Sequence, residues 1–212
     1  MKAICKKTAV SIFCAVCSTV VWADYDTFFI DASQGESISH ARLGLGETNP
    51  GENGEKLTSM FYLSYFQSED TFKQDGVNLG SQQVEIIALG TGGFGYLENP
   101  YKNGGAEFDF ELSKTTSDII DYDRTAIGFK TQLFIPVVAG FQTNIGFNLR
   151  PFFLSTDWDD QADLEVEYQA GIEYAFNWDV ALYSHYRKLD IHAADSTATL
   201  TEDVVFGFRA RF

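Results

Sequence analysis

Between positions 106 and 113 apolar and polar residues strictly alternate: Ala106, Phe108, Phe110 and Leu112 interleave with Glu107, Asp109, Glu111 and Ser113. An extended strand places successive side chains on opposite sides and separates these two sets, whereas a helix mixes them. The pattern recurs. Thr125, Ile127, Phe129, Thr131, Leu133 and Ile135 oppose Arg124, Lys130 and Gln132. Phe141, Thr143, Ile145, Phe147 and Leu149 oppose Gln142, Asn144, Asn148 and Arg150. Leu164, Val166, Tyr168, Ala170, Ile172, Tyr174 and Phe176 oppose Glu165, Glu167, Gln169 and Glu173. Val204, Phe206, Phe208, Ala210 and Phe212 oppose Val205, Gly207, Arg209 and Arg211. With 56–66, 82–97 and 179–188 these make eight strands, each long enough to cross a bilayer at a tilt. The expected fold is all-β: a closed antiparallel transmembrane β-barrel over 56–212, with eight strands favoured and ten the alternative.

The connections alternate in character as well. Those at 98–104, 136–140 and 177–178 are turns rich in Asn, Gly and Pro, while those at 67–81, 114–123, 155–163 and 189–201 are longer and acidic. Short turns at one end and long polar loops at the other suit an outer-membrane barrel. A soluble barrel would carry the same alternation with its faces exchanged. Two features weigh against it, the closing strand that ends on Phe212 and the complementary charges of the polar faces; once a membrane is granted, lipid lies outside, because carboxylates turned toward lipid cost on the order of 1–4 kcal/mol each, depending on depth.

With the polar faces inward, Glu85, Glu107, Asp109, Glu111, Glu165, Glu167 and Glu173 meet Arg124, Lys130, Arg150, Arg187, Arg209 and Arg211 in one lumen charge network. Enclosed charges have to pair, since an unpaired buried ion costs several kcal/mol. The near balance of this set stands out in a chain with 30 acidic and 15 basic residues, and it leaves the excess acid in the loops and the N-terminal segment. A formal charge of −15 with no basic patch argues against nucleic acid as a partner.

Residues 1–23 read as a cleaved signal peptide. Lys2, Lys6 and Lys7 precede an uncharged, mostly apolar run at 8–21, and Val21-Trp22-Ala23 fits a small-residue cleavage site. Cys5, Cys14 and Cys17 all lie in that leader, so the mature chain is expected to have no thiol. The segment 24–55 holds one further alternating run, with Ser39, Ala41, Leu43 and Leu45 against His40, Arg42 and Gly44. It is either an extra strand or hairpin of the barrel, or a segment apart from it.

The stretch from Glu165 through Val166, Glu167, Tyr168, Gln169, Ala170, Gly171, Ile172 and Glu173 to Tyr174, the run Ala181-Leu182-Tyr183-Ser184-His185-Tyr186-Arg187-Lys188-Leu189 and the closing Val205-Phe206-Gly207-Phe208-Arg209-Ala210-Arg211-Phe212 carry a resemblance. In these residues the C-terminal half resembles YfaZ-type outer-membrane proteins. The resemblance implies an exported barrel and no defined activity. The last strand, with Val204, Phe206, Phe208, Ala210 and the terminal Phe212, also resembles the signal read by the barrel-assembly machinery.

Few motifs point to chemistry. Gly90-Thr91-Gly92-Gly93-Phe94-Gly95 matches a dinucleotide fingerprint in spacing, but no helix follows to receive a pyrophosphate. Asp157, Asp159, Asp160 and Asp163 form a weak candidate for a divalent cation; Ala162 stands where a calcium loop needs Gly and Tyr168 where it needs Glu. His185 beside Ser184, and His192 with Asp190 and Asp195, are faint hints of a lipid-modifying or proteolytic enzyme. The expectation is therefore a non-enzymatic, cofactor-free barrel of the outer membrane, in contact with lipid and lipopolysaccharide and monomeric. A small channel or uptake protein is the competing class.

Overall fold

The computed structural model describes residues 26–51, 55–97, 104–118, 122–156, 162–176 and 179–212. The leader, Trp158, Trp178 and three of the loop aspartates (Asp157, Asp159, Asp160) lie outside them. The described residues form ten strands: β1 (Thr27–Gln34), β2 (Ile38–Pro50), β3 (Glu55–Gln74), β4 (Val77–Leu97), β5 (Gly105–Ser117), β6 (Tyr122–Val138), β7 (Phe141–Pro151), β8 (Leu164–Ala175), β9 (Val180–Ala193) and β10 (Ser196–Arg211). Each strand pairs antiparallel with its sequence neighbours, and β1 closes on β10. Closure leaves no long free edge around the wall, which is what a chain of repeated two-sided strands requires.

Ten strands, not eight, make the wall. The difference is β1 and β2, which come from the segment 24–55. In β1 the inward positions are Thr27, Phe29, Asp31 and Ser33, while Phe28, Ile30 and Ala32 face outward. Phe29 on the inner face interrupts the apolar and polar alternation, and this is why β1 does not read as a wall strand.

The hairpin of β1 and β2 is much shorter than its neighbours, 8 residues in β1 against 20 in β3 and 21 in β4. Above its tip β10 pairs directly with β3, Ala198 opposite Gln74 and Thr199 opposite Lys73. The wall thus narrows from ten strands to eight. The tip is pinned in the notch: an Asp203 carboxylate oxygen accepts from the backbone N–H groups of Ser37 (2.8 Å) and Ile38 (3.2 Å) and from the Ser37 hydroxyl (3.2 Å).

Two regions expected as long loops are largely strand. The stretch 67–81 is the top of the β3 and β4 hairpin, closed at Asp75 (φ 48°) and Gly76 (φ 81°). Two successive residues of positive φ make the type I′ turn that matches strand twist, and Asp-Gly is a favoured pair for it. The stretch 189–201 is likewise the top of the β9 and β10 hairpin. In both stretches the few apolar residues are scattered among polar ones and keep no two-residue period.

A closed charged lumen as candidate functional site

Along β5 the inward residues Glu107, Asp109, Glu111, Ser113 and Thr115 are buried, while Phe108, Phe110 and Leu112 are 54–60% exposed on the outer wall. The same division holds on β6, β7, β9 and β10, where Ile127, Phe129, Leu133, Ile145, Phe147, Leu182, Phe206 and Phe208 are exposed outward. The molecule is therefore inverted relative to a protein folded in water: its ionised groups are inside and its large apolar groups are outside.

Arg42 on β2 sits at the lower centre of the lumen. Its guanidinium bonds to Glu107, lies 3.2 Å from Asp109 and 3.6 Å from Asp31, and is flanked by the rings of Phe29 and Tyr62 at 5.2 and 5.0 Å. Lys130 reaches the same pair of carboxylates, 3.4 Å from Glu107 and 3.9 Å from Asp109. The Tyr62 hydroxyl contacts Asp109 (3.0 Å) and Glu111 (2.8 Å). Farther up, Arg150 pairs with Glu165 at 2.6 Å and approaches Glu111 (3.6 Å) and Glu167 (3.9 Å), and Arg187 pairs with Glu167. Near the terminal end Arg209 pairs with Glu173, which also accepts from Gln142 at 2.7 Å.

Of the residues expected in this network, twelve face the lumen and one does not. Glu85 lies on the outer face of β4, beside Gln83 and within 3.3 Å of the Tyr65 hydroxyl. Its neighbours Val84 and Ile86 point inward instead. Arg124 is buried without a carboxylate within 4 Å among the described residues; it donates to the Arg150 carbonyl (3.1 Å) and the Tyr122 hydroxyl (3.2 Å), which in turn donates to Glu165. Arg211 lies over the Phe94 ring at 3.5 Å.

Sequence reasoning left out Arg42 and Asp31, because both fall in the segment it set apart. The signal was present in the alternation of His40, Arg42 and Gly44 against Ala41, Leu43 and Leu45. It also left out the neutral partners, Tyr62, Asn148 (2.6 Å from Glu111) and Tyr183, whose hydroxyl donates to Asp31.

Apolar clusters lie toward both ends of the lumen. At the end bearing the chain termini, Phe29, Met60, Tyr62, Phe94, Tyr96 and Phe134 pack together, with the Arg209 and Arg211 guanidinium groups over the Phe94 ring. At the opposite end Ile38, Phe66, Phe72, Val84, Ile86, Tyr122, Leu189, Ile191, Leu200 and Val205 pack together. Leu200 enters that cluster because a bulge between Thr199 and Thr201 turns it inward. Between the clusters a cavity of ≈ 30 Å³ is lined by His40, Glu111, Lys130, Arg150, Glu167 and Arg187 among others. That is space for about two waters.

The remaining candidates do not converge. Ser184 and His185 point to opposite sides of β9; His185 shares a 2.7 Å hydrogen bond with Asn144 and stacks on Tyr183 at 4.2 Å between centroids. His192 contacts Thr197, and Asp190 contacts Lys188 and Thr199. Among the described residues no cluster of His, Cys, Asp and Glu could hold a metal ion, and Asp163 donates its backbone N–H to the His192 carbonyl. Val204, Phe206, Phe208 and Phe212 are exposed on the outer wall and Ala210 is buried. Backbone bonds between Phe28 and Phe212 (2.9 and 2.8 Å) complete the seam.

No protein-family model and no curated protein matches this sequence. Among solved structures the chain is similar to the KdgM porin, with 8% identity over 88% of this chain and 99% of that one and a TM-score of 0.37. It is similar as well to the transport unit of the autotransporter AIDA-I from Escherichia coli (9% identity, 92% of each chain, TM-score 0.39). The NanC porin gives 9% identity over 87% of this chain and 98% of that one, with a TM-score of 0.35. The barrel itself is established by the strand pairing described above, and these similarities assign no role.

Proposed function

We propose that the protein is an integral outer-membrane β-barrel of a Gram-negative envelope with a closed lumen, acting through its structure and surface and not by conduction or catalysis. The observation that carries this reading is a lumen filled by side chains, with salt bridges running between apolar clusters toward its two ends. An exposed apolar wall needs a hydrocarbon solvent, and a barrel is one of the two architectures whose backbone is satisfied there. Lipid and lipopolysaccharide are then its immediate surroundings, and β10 is the strand offered to the assembly machinery. The wall closes within one copy.

A small channel is the reading that ten strands would favour on diameter alone. What supports the closed reading is that side chains fill the lumen, and the cavity among them, ≈ 30 Å³, is too small for a hydrated solute. Protein reconstituted in planar lipid bilayers is expected to give no discrete current steps at 1 M KCl. Steady openings in the wild type would overturn the closed-lumen reading.

A further inference from the structure

At the end away from the chain termini, one strand edge has no second partner among the described residues. β4 pairs with β5 only from Val84, opposite Ser117, and the last contact above it joins Gln83 to Asp118, whose backbone N–H donates to the Gln83 carbonyl (3.3 Å) while the Gln83 N–H donates to the Asp118 carboxylate (2.8 Å). Among the described residues, 77–82 continue upward paired to β3 alone. Because successive residues of a strand direct their backbone groups to alternate sides, Ser81 directs its N–H and C=O the same way as Gln83, away from β3. Every residue from Gln74 to Ser81 is exposed, with Val77 at 60% and Leu79 at 53%.

Natural sheets blunt such edges with charge, proline or a bulge. This one has a bulge opposite Phe72 and Lys73 but no charge and no proline: 77–82 reads Val-Asn-Leu-Gly-Ser-Gln. The surrounding rim is acidic. Glu69, Asp70, Asp75, Asp118, Asp123, Asp163, Asp190, Asp195 and Glu202 lie at this end of the barrel, and its lysines are already engaged, Lys73 with Glu202, Lys114 with Asp123 (2.9 Å) and Lys188 with Asp190 (2.7 Å). A hydrogen bond from Lys73 and another from Tyr186 hold the Glu202 carboxyl below its usual range, so this pair stays ionised at neutral pH.

We infer that the edge of β4 at 77–82 is a docking site for an extended, cationic polypeptide segment, which adds as a strand beside Ser81 while its basic side chains meet the acidic rim. Backbone pairing supplies affinity in such strand addition, and charge supplies the choice of partner. The reading does not depend on whether the lumen conducts.

The test uses the folded full-length mature protein in detergent micelles and a fluorescent ten-residue peptide of alternating Lys and Val, with fluorescence anisotropy as readout and empty micelles as the blank. Saturable binding above the blank is expected, weakened about tenfold or more when Glu replaces Lys in the peptide. Ser81→Pro removes an N–H that faces away from β3 and leaves the β3 ladder in place, so it is expected to weaken binding about tenfold, the equivalent of one lost backbone hydrogen bond. The Ser81 amide of the wild type provides the second measurement: its hydrogen exchange is expected to slow on peptide addition. Absence of saturable binding overturns the proposal, and so does unchanged affinity in a folded Ser81→Pro variant. If that variant does not fold, unchanged Ser81 exchange in the wild type overturns it equally.

Discussion

Replacing Arg42 with alanine is expected to destabilise the barrel by about 3–5 kcal/mol, the cost typical of removing one partner from a buried ion pair. Arg42 is 2% exposed and serves Glu107, Asp109 and Asp31 together. Without it Lys130 alone remains near Glu107 and Asp109, at 3.4 and 3.9 Å, and the rings of Phe29 and Tyr62 lose the cation between them. The measurement is reversible urea unfolding from lipid vesicles. The companion variant removes the opposing charges as well, combining Arg42→Met with Glu107→Gln and Asp109→Asn. It is expected to recover most of the loss, because the penalty comes from stranded charge and not from a missing attraction. A loss below about 1 kcal/mol for Arg42→Ala would mean that water reaches these carboxylates freely, contrary to the closed lumen.

The second large effect lies on the other side of the same strand pair. Phe110 is 55% exposed and its ring meets that of Phe129 at 5.2 Å between centroids. Phe110→Arg is expected to cost about 2–4 kcal/mol in vesicles, the penalty for a cation at the midplane of the hydrocarbon. On a water-wetted surface the same change would fall within about 0.5 kcal/mol. Urea titration of the two proteins in the same lipid distinguishes these values.

Most of the wall was legible in the sequence because β5 to β10 keep a strict two-residue period, and period is what a sheet with two different solvents imposes. Legibility failed where a strand mixes its faces. β1 places Phe29 inward among polar neighbours, since the lower apolar cluster needs an aromatic there, and so the hairpin that raises the strand count to ten did not stand out. Above the notch Phe72, Val77 and Leu79 are scattered among polar residues without a two-residue period, and strand resembled loop.

The charge network was legible as two lists of residues but not as pairs. Register decides pairing, and register depends on closure: β2 reaches Glu107 and Asp109 only across the lumen. Glu85 was misplaced for a local reason. Ile86 and Ile87 are adjacent and face opposite ways, so the apolar residues of β4 do not mark one side. The apolar clusters were not legible at all, because Phe66, Phe72 and Leu200 become neighbours only once the ring is closed, and Leu200 turns inward only through its bulge.

The most direct measurement exploits the expected absence of thiols from the mature chain. Single cysteines at Ile87, Leu89 and Ile127 on the outer wall, and at Ala88 and Ala126 in the lumen, carry a small fluorophore in protein folded into bilayers with nitroxide-bearing acyl chains. The account predicts strong quenching at 87, 89 and 127, weak quenching at 88 and 126, and no reaction of the folded Ala88 and Ala126 variants with a charged, membrane-impermeant thiol reagent. Quenching that ignores this alternation, or rapid labelling at 88 and 126 from the aqueous phase, would contradict it.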